Sequence, residues 1–221
     1  MAFEAVNVEG NPAALADLQQ LGAPLVPAVA VGERVVHGWN PNRVAELIGA
    51  EYVQRERLSP EDLARRLDTI LQASQRATRQ VPDDRLEMKS PDRDRTVRNL
   101  GYHIFRLSLA FKDGMAERRF PQEWLRETAP PEIRDGAAIA RYGQTVRDSL
   151  AEWFRRPEAW EGVVETYYGP QTGHELLERT TWHSAQHLRQ LYALLEMMGV
   201  VPDRPLTETD YSGLPLPKAL W

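Results

Sequence analysis

The chain has 221 residues, a formal net charge of −5 and no cysteine. Its length allows one large domain, or a small domain joined to a medium one. The acidic balance argues against binding to nucleic acid phosphates, and a chain without cysteine forms no disulfide, thiolate nucleophile or iron–sulfur cluster. The longest apolar run, APLVPAVAV, is too short to cross a membrane. We therefore expect a cytoplasmic protein that has neither nucleic acid nor membrane as a partner.

Residues 1–50 have the pattern of a small α/β unit. FEAVNV alternates like a strand, and NPAALADLQQLG predicts a short helix with asparagine and proline at its start. LVPAVAV is rich in β-branched residues and predicts a second strand, which a GER turn joins to a third in VVHGW. NPNRVAELIG then begins another helix from an asparagine cap.

From about residue 58 the sequence pattern changes to long helical periodicity, in which apolar residues recur every three or four positions. This pattern predicts a mainly α fold, with a four-helix bundle over residues 57–200. WEGVVETYYGPQ predicts a small hairpin before the last helix. Residues 201–221 form a proline-rich tail that we expect to pack on the surface. The four helical stretches are SPEDLARRLDTILQASQRATRQ, RTVRNLGYHIFRLSLAFKDG, PEIRDGAAIARYGQTVRDSLAEWFRR and TGHELLERTTWHSAQHLRQLYALLEMMG.

Two of the five histidines lie four residues apart in the last of these helices. At about 100° per residue, His183 and His187 are separated by about 40° on one helical face. Such a pair alone is compatible with core packing or a solvated face as well as with half of a metal site. Leu191 and Leu194 share the stripe, so both imidazoles should face the bundle interior, where they need polar partners.

His103 is the candidate third ligand, because it lies on the apolar stripe of its own helix between Leu100 and Leu107. Three inward-facing histidines from two helices are hard to explain as packing. His174 should face the opposite side at the start of its helix, so we expect an exposed or capping residue. His37 falls at a strand end in the N-terminal unit, where a surface role is expected.

An inward histidine on the second helix, followed by HSAQHLRQL on the fourth, resembles the DinB-like superfamily, and the resemblance covers about residues 57–200. It implies that His103, His183 and His187 bind a divalent metal such as zinc, nickel, iron or manganese. Characterised members are thiol-dependent transferases and isomerases that use mycothiol, bacillithiol or glutathione. The resemblance thus implies a small-molecule substrate, a low-molecular-weight thiol as co-substrate and, since relatives are often dimers, a homodimer.

Four further residues lie beside the histidines on helical wheels. Asn99 and Arg106 flank His103 at about 40° and 60°, Arg179 precedes His183 by one turn, and Gln190 follows it two turns later. Each is a candidate for orienting or binding substrate. The alternative for each is an ordinary interhelical hydrogen bond or a surface position.

VNVEGNPAALADLQQLGAPLVPAVAVGERVVHGW resembles the second half of a glutaredoxin. In that family the residue before a cis-proline pairs with the cysteinyl part of glutathione, and Val26 and Pro27 match these positions. The first strand and CPYC-type motif of glutaredoxins have no counterpart in this sequence, so we expect no thiol–disulfide exchange. Either a longer reading frame supplies them, or the unit is a relic that packs on the bundle.

Three functions are compatible with these patterns. The favoured one is transfer or addition of a low-molecular-weight thiol to an electrophile at a three-histidine metal site. The second is metal-dependent hydrolysis, which needs a general base; Glu175, about 80° from His183, is the nearest acid to the stripe. The third is a stress protein that binds a metal or ligand without catalysis.

Overall fold

The computed structural model describes residues 3–8, 11–23, 26–38, 40–52, 56–91 and 94–221. The chain divides into two compact units, Met1–Arg55 and Glu56–Trp221. Over the described ranges, none of the helices combines the length and apolar character that a bilayer crossing requires.

The first unit contains two helices and a hairpin. Strands β1 (Ala28–Val31) and β2 (Arg34–His37) pair in antiparallel fashion. Helices α1 (Pro12–Gln20) and α2 (Pro41–Ile48) begin at asparagine caps, with proline in the first turn, as their sequences predict.

One predicted strand of this unit is wrong. Residues 3–8 of FEAVNV have no regular structure. A strand needs a hydrogen-bonding neighbour, and the sheet of this unit, as described, consists of β1 and β2 without this segment. The stretches predicted as the other strands include Leu25 and Trp39, which lie outside the described residues. The Val26–Pro27 peptide bond is cis, and the glutathione-binding role of these two residues stays a prediction.

The second unit is built on four long helices, which confirms the predicted bundle and the mainly α class. Each begins at a residue whose side chain accepts a hydrogen bond from a backbone N–H three positions on: Ser59, Thr96, Asp135 and Thr172. The four helices are α3 (Pro60–Gln80), α4 (Val97–Glu117), α5 (Gly136–Trp153) and α6 (Gly173–Met197).

α4, which follows α3 in the chain, lies diagonally opposite it across this bundle. α3 and α4 each pack along both α5 and α6, and make little contact with each other. The arrangement places α4 directly beside α6, although about 55 residues of chain separate them. Where α5 meets α4, Gly143 allows the close approach, because a Cβ atom there would come within 2.5 Å of the buried Phe105 ring.

A small sheet and the tail complete the second unit. β3 (Arg119–Phe120) pairs in parallel with β4 (Val163–Thr166), and β4 forms an antiparallel hairpin with β5 (Gly169–Thr172) just before α6. The predicted hairpin is therefore present. In the tail, the short helix α7 (Glu208–Tyr211) follows a contact between the Leu206 N–H and the Tyr192 hydroxyl oxygen at 3.2 Å.

Candidate metal centre

The two α6 histidines occupy the middle of a long, well-capped helix. The helix starts with a capping box in which Thr172 and Glu175 each accept a hydrogen bond from the other's backbone N–H. His183 and His187 lie one turn apart, and their ring centroids are separated by 4.6 Å. His187 is buried, whereas His183 keeps partial exposure, so the site has an accessible side.

His103 on α4 completes the group, hereafter the histidine cluster (His103, His183 and His187). Its ring centroid lies 5.8 Å from that of His183 and 5.0 Å from that of His187. A buried contact of 3.0 Å between the hydroxyls of Ser108 and Ser184 links the same two helices. One nitrogen from each imidazole lies within 4.8 Å of the others. The prediction that these three residues converge therefore agrees with the structure.

Burial and positive surroundings favour the neutral form of His183. Burial lowers the pKa of His183 well below its ordinary value, and the nearby His187, His103, Arg179 and Arg95 lower it further. A neutral imidazole offers a nitrogen lone pair, which is the form that ligates a metal.

The hydrogen bonds of His187 select one tautomer. Its Nδ1 lies 2.7 Å from Oε1 of Gln190, which can only accept, so Nδ1 carries the proton. Its Nε2 lies 3.4 Å from Nη1 of Arg95, which can only donate, so Nε2 carries the lone pair. Both contacts therefore make Nε2 the nitrogen of His187 that carries the lone pair, and a cation bound there would replace Arg95 as its partner.

The donor set fits a divalent transition metal. Imidazole nitrogen suits zinc, nickel and iron, and three protein ligands is the number typical of catalytic zinc sites, which keep a position open. Over the described part of the chain, the group that could hold a metal consists of these three histidines, with no carboxylate among them.

Two of the four flanking candidates lie near the cluster. Gln190 contacts His187 directly. The guanidinium of Arg179 lies 4.1 Å from the centroid of the Tyr168 ring and donates to the Tyr167 hydroxyl at 3.2 Å, and its charge acts on His183.

The other two candidates have structural partners elsewhere. The Asn99 side chain accepts a hydrogen bond from the Ala129 backbone N–H at 3.0 Å, between α4 and the connection to α5. Arg106 donates to both oxygens of Glu127 at 2.6 and 2.9 Å, and to Asp113 at 3.3 Å. Roles for Asn99 and Arg106 in substrate binding stay predictions.

The remaining histidines lie apart from the cluster. His174 is partly buried and its Nε2 lies 2.8 Å from the Leu58 carbonyl oxygen, so it links the start of α6 to the segment before α3. His37 is exposed at the end of β2, in agreement with its predicted surface position.

Sequence reasoning missed Arg95. In SPDRDRTVR the alternating charges predict a solvated surface, yet Arg95 contacts a cluster histidine. Backbone bonds from Ser90 N–H to the Arg95 carbonyl and from Val97 N–H to the Met88 carbonyl, both 2.9 Å, fold this stretch back on itself. The contact is tertiary and has no local signal; Asp92 and Arg93 lie outside the described residues.

Fold and site together define a four-helix bundle with a three-histidine cluster between two of its helices. The DinB-like protein YjoA from Bacillus subtilis matches it with a TM-score of 0.52 and 15% identity, over 66% of this chain and 95% of that one. YfiT from Bacillus subtilis, described as a probable metal-dependent hydrolase with an unusual four-helix bundle topology, matches with a TM-score of 0.51 and 18% identity, over 68% and 95%.

YjoA is DinB-like and YfiT has a four-helix bundle topology, so the predicted resemblance of the bundle is confirmed at the level of fold. No protein-family model matches the sequence, and comparison with curated proteins finds no match either. The glutaredoxin-like reading of the first unit has no support from these comparisons.

Proposed function

We propose that this protein is a divalent-metal-dependent enzyme that transfers or adds a low-molecular-weight thiol to an electrophilic small molecule. The observation that carries the proposal is the convergence of one nitrogen each from His103, His183 and His187 within 4.8 Å. The three imidazoles would hold zinc, nickel, iron or manganese. When bound, such a cation supplies a Lewis acid that lowers the pKa of a water or thiol beside it.

The charges around the cluster favour an anionic partner such as a thiolate. The three imidazoles bring no negative charge, so the charge of a cation would remain uncompensated by these ligands. Arg95 and Arg179 add positive potential at His183. Since the sequence contains no cysteine, the thiol must be a separate molecule.

We assign roles to the residues of the site by their burial and position. His103 and His187 are buried and would anchor the cation, while the partly exposed His183 marks the side from which a substrate enters. Arg179, held against the rings of Tyr167 and Tyr168, supplies a fixed charge beside that opening. We propose that Arg179 orients the anionic end of the thiol or of its acceptor.

Hydrolysis is the second candidate, and the similarity to YfiT, a probable metal-dependent hydrolase, favours it. A hydrolase needs a group that accepts a proton from water. Glu175, the acid nearest to the histidine stripe, is instead occupied: its carboxylate accepts the capping hydrogen bonds of Thr172 and lies 3.4 Å from the Arg57 guanidinium. Because these contacts occupy the Glu175 carboxylate, it is poorly placed to act as a general base, and this favours thiol chemistry over hydrolysis.

Metal analysis tests the shared premise of both candidates. Protein purified without chelator should contain about one divalent ion per chain, and His183→Ala should lose it. His174→Ala is the matched control, because His174 lies on the same helix but bonds to Leu58. A metal-free native protein would exclude both reactions.

The two reactions are then separated by product. Metal-loaded protein is incubated with mycothiol, bacillithiol or glutathione and monochlorobimane, and in parallel with a panel of chromogenic esters and amides. Consumption of one thiol faster than in buffer, lost in His183→Ala, supports the proposal. Ester cleavage without thiol consumption supports the hydrolase. A metal-loaded protein inactive in both assays supports the third function, a non-enzymatic metal or ligand binder.

A homodimer and a cytoplasmic location stay predictions. Sedimentation at micromolar concentration tests the first, and fractionation of the source cells tests the second.

A further inference from the structure

We propose that the end of the tail positions the metal ligand His187, through a relay from the Leu220 carbonyl to Gln190 and from Gln190 to the imidazole. This inference rests on the proposed metal site and concerns how that site is prepared. It makes Gln190 a positioning residue, which acts on the site through His187.

The relay follows from which atoms can donate. A backbone carbonyl only accepts hydrogen bonds, so the Leu220 oxygen requires the NH₂ end of the Gln190 amide, which lies 2.9 Å away. The amide oxygen of Gln190 must then point the other way, where it lies 2.7 Å from Nδ1 of His187. Nδ1 therefore holds the proton, and Nε2 keeps the lone pair for the metal.

Reversing the Gln190 amide would break both contacts. Its NH₂ group would face the Nδ1–H, and its oxygen would face the Leu220 oxygen, so two donors and two acceptors would be opposed. Gln190 is only 9% exposed, so water is poorly placed to compensate. The Leu220 carbonyl thus fixes the orientation of a buried amide, and the amide fixes the tautomer of His187.

The tail is anchored where the relay needs it. Gln186 donates to the carbonyls of Ala219 at 3.2 Å and Leu220 at 2.7 Å, and Arg189 donates to the Pro217 carbonyl at 3.0 Å. Arg189 also donates to Gln186 Oε1 at 2.7 Å, which orients the Gln186 amide in turn. Three side chains on one face of α6 therefore hold the backbone of residues 217–220.

The test compares chains that end at different residues. A chain ending at Lys218 loses the Leu220 carbonyl, whereas a chain ending at Leu220 keeps an oxygen acceptor at that place and is the control. The dissociation constant for Zn²⁺ is measured by competition with a chromophoric chelator. We expect the chain ending at Lys218 to bind about 10-fold to 100-fold more weakly, and the control to bind within about threefold of the full chain.

The Gln190→Glu variant distinguishes a loss of His187 positioning from a general destabilisation of the structure by truncation of the tail. A carboxylate accepts from Nδ1–H in either orientation, so it no longer needs the tail to orient it. In the Gln190→Glu background the second carboxylate oxygen faces the Leu220 carbonyl oxygen, and both are acceptors. Removing residues 219–221 should therefore leave the Zn²⁺ affinity of this variant unchanged or raise it. An equal loss in both backgrounds would overturn the relay, as would unchanged affinity in a folded Gln190 chain that ends at Lys218.

The tautomer of His187 gives a readout that needs no metal. Nitrogen NMR is carried out on the metal-free Arg95→Met protein, because Arg95 also donates toward Nε2 of His187. It should show His187 protonated at Nδ1 in the full-length variant, and a mixture of tautomers in the variant that ends at Lys218. Failure of the metal proposal would appear as a full chain that binds no Zn²⁺. Failure of the relay would appear as a tautomer that truncation does not change, so the two failures are distinguishable.

Discussion

Two polar groups meet α4 inside this bundle, and they are balanced in different ways. The arginine cluster (Arg106, Asp113 and Glu127) pairs a 9% exposed guanidinium side chain with two carboxylates, at 3.3 and 2.6 Å. The histidine cluster brings together three imidazoles and no acid. The first group satisfies itself with donors and acceptors from the chain. The second brings together three imidazole side chains with no carboxylate, a donor set that suits a divalent cation.

Metal addition should distinguish the clusters most strongly. Zn²⁺ at about 1,000 times its dissociation constant should raise the free energy of unfolding by about 4 kcal/mol, because the folded state binds it and the unfolded state does not. Thermal unfolding with Zn²⁺ and with a chelator measures the difference.

The variants assign this stabilisation to one cluster. His187→Ala should abolish the metal-dependent shift in melting temperature, while Glu127→Gln should keep it. If His187→Ala retained the full shift, the histidine cluster would not be the binding site.

Breaking the arginine cluster should have a smaller effect that is independent of metal. Glu127→Gln removes the closest carboxylate of the buried Arg106. Because the Glu127 side chain is 41% exposed, solvent screens the pair, and we expect a loss of about 1–2 kcal/mol in unfolding free energy. Urea unfolding measures it. A loss that appeared only with Zn²⁺ present would show that the two clusters are coupled.

Acid should act on the metal-free histidine cluster. The pKa of His183 is lowered in the folded state, chiefly by burial, so below about pH 6.5 the unfolded chain binds the proton that the folded chain resists. Stability is thus fully present above that pH and falls as the pH drops, by at most about 1.4 kcal/mol per pH unit for this group.

Urea unfolding of the metal-free protein between pH 5 and pH 7.5 measures this dependence. His183→Gln should flatten the slope. An unchanged slope in that variant would assign the pH dependence to other groups.

Removing Arg95 should have the smallest effect, with opposite signs for cations and anions. Its guanidinium lies 3.4 Å from Nε2 of His187. Since unit charges about 4 Å apart interact by about 1 kcal/mol in water, Arg95→Met should tighten Zn²⁺ binding about fivefold. It should weaken inhibition by inorganic phosphate or by an added thiol. Chelator competition and inhibition assays measure the two effects, and weaker Zn²⁺ binding would contradict this view of Arg95.

The comparison also shows what sequence alone can supply. Helical periodicity was sufficient for the four helices and for the inward face of His103, His183 and His187, because both follow from a fixed angle per residue. The wheel also separated His174 from the pair. The alternating pattern of FEAVNV predicts a strand, yet the segment is irregular. Strand formation depends on pairing with a neighbouring segment, which a local pattern does not record.

The parts of the site that were missed are those that depend on tertiary contacts. Arg95 reaches His187 through a local fold of residues 88–97, and Leu220 reaches Gln190 by a backbone carbonyl, which no side-chain pattern records. Arg106 illustrates the reverse case. It lies on the expected side of α4, but Asp113 of the same helix and Glu127 of the connection to α5 bind it.

The diagonal placement of α3 and α4 has a consequence for how the molecule folds. These two helices do not form a hairpin with each other, and both pack along α6, which lies much later in the chain, so folding should be slow for a helical bundle. His103 and His183 meet only when that long-range assembly is complete. The rate of metal binding during refolding would therefore report the rate of the final assembly step, because partly assembled chains lack the complete three-histidine site.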